Sequence, residues 1–192
     1  MSRFSQKYDK VSRVGSGGIP RVSPNLACDG FAEFLDAYHG CEFNSGVYRV
    51  RDSDSVKVFD SVLEMHSGWS DRVIPFGFDW LGRQFALDLA EIQGGKEPSV
   101  VIFEPGTGEV LEAPCTFQEF HEVELIEHAD AALADDFFLE WVANSGGGVG
   151  WRKCAGYRVP LFLGGFDSVE NLEESDTDVY WSICAQLWSG TR

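Results

Sequence analysis

The 192-residue sequence predicts an α+β domain, an antiparallel sheet of about five to six strands flanked by helices. Three observations predict it. Short runs in the middle of the chain alternate large apolar with small or polar residues and are separated by Gly, Pro and Asp turns. Apolar faces with helical period lie before and after those runs rather than between each pair. Hydrophobic residues make up 44% and aromatic residues 14%, enough for an ordered core in one domain of this length.

Taken in order, residues 1–21 are rich in Ser, Gly, Lys and Arg, with Gly15-Ser16-Gly17-Gly18 and Pro20, and read as a flexible N-terminal arm. Residues 22–192 read as a single domain. Asp29 or Gly30 opens a helix with Phe31, Phe34, Leu35 and Tyr38 on one face, and Gly40 stops it. Asp54 is placed to cap a second helix over residues 56–65, with Val58, Phe59, Val62 and Leu63 inward. Four strands follow at residues 73–78, 83–88, 99–103 and 109–112. The first two form a hairpin around Gly77, Asp79 and Gly82, and the last two are joined by Pro105-Gly106-Thr107-Gly108. Thr116-x-x-Glu119 is a capping box for a long helix that breaks near Ala129, runs to Ala143 and ends in Asn144-Ser145-Gly146-Gly147-Gly148. Residues 159–163 read as another strand, and Asp176 caps a last helix through Tyr180, Ile183, Cys184 and Leu187.

The wording of the central hairpin, Pro75-Phe76-Gly77-x-Asp79-x-x-Gly82-x-x-Phe85-x-x-Asp88, resembles the signature of the SUKH superfamily. The resemblance extends upstream through Pro24-x-Leu26, Phe34-Leu35-x-x-Tyr38-x-Gly40 and Gly46-Val47-Tyr48-Arg49-Val50. Downstream it continues through Phe103-Glu104-x-Gly106-Thr107-Gly108-Glu109-Val110 and Thr116-Phe117-x-Glu119-Phe120. The closing stretch, Val159 to Gly165, Asn171-Leu172-Glu173 and Val179-Tyr180-Trp181, is similar to immunity proteins paired with type VI secretion DNase effectors. This resemblance covers roughly residues 22–187. It implies a non-catalytic protein that binds a cognate secreted toxin and neutralises it by stoichiometric occlusion. Eukaryotic relatives serve in signalling, so a regulatory scaffold is the alternative within the same family, and a hydrolytic enzyme is the alternative from a different class.

Charge supports partner binding independently of that resemblance. The net charge is −16, and it is unevenly placed. Residues 1–51 hold 7 Lys or Arg against 5 Asp or Glu, whereas residues 52–192 hold 8 against 26. Residues 109–140 carry ten carboxylates and residues 167–178 six, neither run containing a Lys or Arg. Such a field repels nucleic acid and membrane surfaces and accelerates encounter with a basic protein. The partner-binding candidates are therefore Glu119, Glu122, Glu124, Glu127, Asp135, Asp136, Glu170, Glu173 and Glu174, with Asp79 and Trp80 at the hairpin tip as an aromatic anchor and its neighbour.

No catalytic residue, cofactor or metal is expected. His121-Glu122 and His128 are wrongly spaced for a two-His zinc helix. Gly146 to Gly150 follows a helix instead of leading a strand into one, so it is a poor phosphate loop. Asp79 and Asp88 read as turn and exposed strand-end residues rather than an acid–base pair. Cys28, Cys41, Cys115, Cys154 and Cys184 are odd in number and widely spaced, which predicts free thiols. Trp69, Trp141 and Trp181 fall in or beside apolar periodic runs and are expected inside. The first residues lack the apolar core of a signal peptide, which points to the cytosol.

Overall fold

The computed structural model describes residues 3–8, 10–21, 26–90, 92 and 95–191. The chain is α+β, as the patterning predicts. A seven-stranded antiparallel sheet runs in simple sequential order. Its strands are β1 (Lys10–Arg13), β2 (Cys41–Phe43), β3 (Tyr48–Val50), β4 (Val73–Asp79), β5 (Gln84–Asp88), β6 (Ser99–Glu104) and β7 (Glu109–Thr116). A separate antiparallel ribbon pairs β8 (Lys153–Tyr157) with β9 (Leu172–Asp176).

The central strands read as nearly continuous apolar runs because both faces of the sheet are covered, and successive side chains point to opposite faces. Phe85 and Leu87 of β5 and Val100 and Ile102 of β6 enter one core, with Phe31, Phe76, Phe117 and Phe120. The intervening Ala86, Val101 and Phe103 enter a second core with Phe59, Val62, Trp181 and Cys184. The first face carries α2 (Phe31–Tyr38), closed by Gly40 as expected. The second carries α3 (Phe59–Met65), which packs on α8 (Thr177–Ser189).

The N-terminal segment differs from the flexible arm expected of its composition. Residues Arg3–Lys7 form α1, and β1 adds an edge strand to β2. Phe4 and Tyr8 are the cause: both are buried, and Phe4 stacks on Tyr8 at 4.9 Å and meets Phe43 edge-on at 5.0 Å. Two aromatic anchors outweigh a loop-like composition. Of the resembling motifs, Pro24 lies outside the described residues.

The long helix expected after the capping box exists as four α-helical pieces and one π-helical stretch. Thr116 Oγ1 accepts from the Glu119 amide at 3.2 Å, and the Glu119 carboxylate accepts from the Thr116 amide at 2.8 Å. From that cap, α4 (Phe117–Glu119) passes through a π-helical stretch, Phe120–Glu124, into α5 (Leu125–Glu127). α6 (Ala129–Leu133) and α7 (Asp135–Ser145) follow. The break falls at His128, beside the expected Ala129, and a second occurs at Ala134, whose φ is 50°. The wider π turn lets the successive residues Phe120 and His121 both face the core. Gly146, with φ 80°, ends α7 and donates its amide to the Val142 carbonyl at 3.0 Å.

Several local expectations are corrected. Residues 159–163 are not a strand; Pro160 precedes a single 3₁₀ turn, Leu161–Leu163. Asp54 and Asp176 occupy the ends of helical segments without making side-chain caps. Asp88 is buried rather than exposed, gripped by Arg72 at 2.7 Å. Trp141 and Trp181 are inside as expected, while Trp69 is half-buried under the Arg72 guanidinium. All five cysteines are free. Gly77 is constrained by close approach, since a Cβ there would lie 2.8 Å from the Tyr48 hydroxyl, and not by an unusual φ.

Gly82 does hold a left-handed conformation, φ 83°, and a Cβ would meet the Cys154 side chain at 3.2 Å. Gly82→Val is expected to destabilise the domain by roughly 1–3 kcal/mol; an unchanged denaturation midpoint would contradict this. His121 supplies a second expectation. Its Nδ1–H donates to the Phe117 carbonyl at 2.9 Å and its Nε2 accepts from the Tyr48 hydroxyl at 2.9 Å, so the ring is neutral. Burial lowers its pKa to about 3, against a weaker opposing effect from the Phe117 hydrogen bond. A lowered histidine pKa means stability present above the unfolded value near 6.5 and lost as pH falls toward 3. Between pH 7 and pH 5.5 the loss from this group is about 1 kcal/mol. Urea titrations of His121→Gln should show a correspondingly shallower dependence on pH over that interval, and an unchanged slope would assign the effect elsewhere.

Candidate functional site

The hairpin tip is the first place where the expected site and the structure part. Asp79 and Trp80 are both 0% exposed, so neither reaches a partner. Asp79 Oδ1 accepts from the Leu81 and Arg83 amides at 3.0 and 2.9 Å, and Oδ2 accepts from Arg83 Nε at 2.6 Å. Trp80 donates its indole N–H to the Leu133 carbonyl at 2.8 Å and packs against Phe137 and Phe138. The tip is capped by α6 and α7, elements 50 residues away in sequence, and a hairpin read in isolation gives no sign of that cover.

The first acidic run lies on the helical side and is partly occupied by the chain itself. The Arg3 amide donates to Glu122 at 2.7 Å, and the Arg3 guanidinium pairs with Glu127 at 2.8 Å. Lys7 Nζ donates to the carbonyls of Leu125 and Ile126 at 3.1 and 2.9 Å, the C-terminal end of α5. Glu119 is spent on the capping box, whose backbone hydrogen bond lowers its pKa. Glu124 is half-buried. Asp135 and Asp136 sit in the first turn of α7, where the helix dipole favours carboxylates. Their carboxylate oxygens and that of Asp130 lie within 4.8 Å of one another. Arg3 and Lys7 therefore cover part of the acidic helical face.

The second acidic run is differently built. Glu170, Glu173 and Glu174 are all exposed, the last two on β9 of the ribbon. Among the described residues, Glu173 is the one of these three with a cation beside it, Arg158 Nε at 3.4 Å, and both side chains are more than half exposed, so that pair contributes little. Between β8 and β9 the chain makes a shelf, residues 158–171, of which residues 159–163 were expected to be a strand. The Asn171 side chain holds it: its carbonyl accepts from the Val159 amide at 3.0 Å, and its NH₂ donates to the carbonyls of Val159 and Phe166 at 2.9 and 2.8 Å. The Tyr157 hydroxyl donates to Asp167 at 2.6 Å. The Phe162 amide donates to the Gly106 carbonyl at 3.1 Å, and its ring meets Trp188 edge-on.

The shelf presents Phe166 at 81% exposure, with Val159 and Leu163 nearly half exposed on the same segment. Among the described residues Phe166 is the most exposed large hydrophobic side chain. Four carboxylates, Asp167, Glu170, Glu173 and Glu174, follow it within eight residues. Sequence reading missed Phe166 because it lies outside every periodic run; the signals present were Pro160, Gly164-Gly165 and Asn171, the vocabulary of a structured loop.

Comparisons with known proteins place the fold and no more. No family model matches the chain, and no curated protein matches it. The crystal structure of Atu4351 from Agrobacterium tumefaciens is similar, with a TM-score of 0.57 over 87% of this chain and 82% of that one, at 15% sequence identity. At that identity the likeness supports a shared architecture. Among the described residues no helix is long and apolar enough to cross a membrane.

Asn171→Ala removes three hydrogen bonds from the shelf and should release it locally. Amide exchange of residues 159 and 166–168 is expected to accelerate while the strands of the main sheet keep their protection. Unaltered exchange across the shelf would mean that Asn171 does not hold it.

Proposed function

We propose that this chain is an immunity-type binding protein that neutralises a cognate secreted toxin, a nuclease-type effector, by occluding it. The observation that carries the reading is Phe166, exposed on a hydrogen-bonded shelf and followed within eight residues by the exposed carboxylates of Asp167, Glu170, Glu173 and Glu174. A nuclease must attract phosphate, so its substrate groove is basic. The carboxylates steer such a surface into contact, and the aromatic anchor slows its escape. Preorganisation adds to this, because a side chain already fixed in its bound position loses little entropy on association. The order of SUKH-like motifs along residues 22–187 supports the same reading. Occlusion then follows from geometry: a body of this size seated on the groove excludes the nucleic acid substrate.

The test uses the product of the adjoining open reading frame as the candidate toxin and measures association and dissociation rates separately. Phe166→Ala should raise the dissociation rate at least tenfold with a small effect on association, since a buried aromatic anchor is worth about 2 kcal/mol or more. Replacing Glu170, Glu173 and Glu174 together by Gln should slow association and flatten its dependence on salt around the ionic strength where the Debye length is about 8 Å. If the toxin binds both variants with unchanged rates, this face is not the interface. If it does not bind the parent chain at all, the immunity reading fails.

A further inference from the structure

A cleft of about 760 Å³ opens between the 3₁₀ turn Ser55–Val58, the N-terminus of α8 and the segment around Trp151. It shares no residue with the Phe166 shelf. Three cations line it, Arg51 on the floor and Lys57 and Arg152 at the exposed rim. Among the described residues no carboxylate lies within ion-pair distance of any of the three.

The carboxylates that line the same cleft each have another engagement. Asp52 accepts from the Ser55 and Gly17 amides, both at 2.8 Å. Asp176 pairs with Lys153 at 3.2 Å, Asp178 accepts from the Val179 amide at 2.9 Å, and Asp54 accepts from the Ser16 hydroxyl at 3.5 Å. Arg51 is only 1% exposed, with its guanidinium over the rings of Phe59 and Phe78 at 5.7 and 5.3 Å. Its two terminal nitrogens donate to neutral acceptors, the Ser55 carbonyl and the Gln84 side-chain oxygen. Its Nε, buried as well, has no partner. Burial lowers the Arg51 pKa to about 9, with Asp52 opposing from beyond ion-pair distance, so a buried guanidinium hydrogen-bonded only to neutral acceptors and keeping an unused donor gains from an anion brought close to it. α8, 13 residues long, adds the positive end of its dipole at the same wall, and its N-cap Asp176 makes no capping hydrogen bond.

We infer that this cleft binds a small ligand through an oxyanion, a phosphate or carboxylate group seated between Arg51, Lys57, Arg152 and the α8 N-terminus. The volume suits a metabolite-sized molecule. Trp151 and Phe78, whose rings meet at 5.3 Å, supply an aromatic wall for the body of the ligand.

The experiment titrates the ¹⁵N-labelled full chain with sodium phosphate and, separately, with sodium acetate, each against sodium chloride at equal ionic strength. Saturable shifts of the Arg51 Nε–H and of the amides of residues 177–179, absent with chloride, are the expected result. Preference for one salt identifies the group as phosphate or carboxylate. Lys57→Ala combined with Arg152→Ala should weaken that binding at least about fivefold while leaving the melting temperature unchanged, because both side chains are exposed. Shifts that grow linearly with concentration for both salts, that match those of chloride, or that persist unweakened in the double variant would each overturn the inference.

Discussion

The fold depends on one buried ion pair inside a turn. Asp79 closes the β4–β5 hairpin by accepting two backbone amides and the Arg83 guanidinium, and Arg83 in turn donates to the Ala132 carbonyl at 3.1 Å. Around that turn the later elements attach to backbone groups that it presents. The Ala155 amide of β8 donates to the Trp80 carbonyl at 2.7 Å, and the Trp181 indole of α8 donates to the Gly82 carbonyl at 2.7 Å. Arg49 from β3 reaches the Asp79 carbonyl and, at 2.6 Å, the Lys153 carbonyl, tying the ribbon to the sheet. Removing one partner of such a pair leaves an uncompensated buried charge, a cost of roughly 3–5 kcal/mol. Arg83 also faces Glu104 at 3.8 Å; burial nonetheless raises that carboxyl to about 7, with Arg83 opposing the shift and Asp79 adding to it. Burial raises the Asp79 carboxyl too, against the opposing Arg83 charge and hydrogen bond, so one guanidinium stands between two buried acids.

The same turn leads outward to the surface on which the functional reading rests. Glu104 accepts from the Gly106 amide at 3.2 Å, the Gly106 carbonyl anchors Phe162, and Tyr157 at the end of β8 fixes Asp167. Every link is short and oriented, so the exposed Phe166 rides on a scaffold continuous with the core. Rigid presentation of an aromatic beside carboxylates is the arrangement expected of a surface that must recognise a basic partner quickly and release it slowly.

Much of the fold was legible because local chemistry and global packing agree. The capping box at Thr116 and Glu119, the stop at Gly40, the turn at Gly82 and the four central strands follow from spacing alone. Tertiary cover was not legible. Trp80 looks like an exposed tip until α6 and α7 fold over it, and residues 1–21 read as a flexible arm in sequence, although Phe4 and Tyr8 pack beside Phe43. For the same reason the acidic helical face looked open in sequence, whereas Arg3 and Lys7 reach it from the other end of the chain. The C-terminal carboxylates Glu170, Glu173 and Glu174 were legible from charge; Phe166 was not, because a single exposed aromatic in a loop carries no periodicity.

The central claim is that the β8–β9 shelf, rather than the helical acidic face, is the surface that binds the proposed toxin partner. Hydrogen–deuterium exchange of the full chain, alone and with the product of the adjoining open reading frame, tests it most directly. The account predicts new protection confined to residues 158–174, with the amides of α5 to α7 unchanged. Protection confined to α5 to α7, with the shelf exchanging as in the free chain, would contradict it.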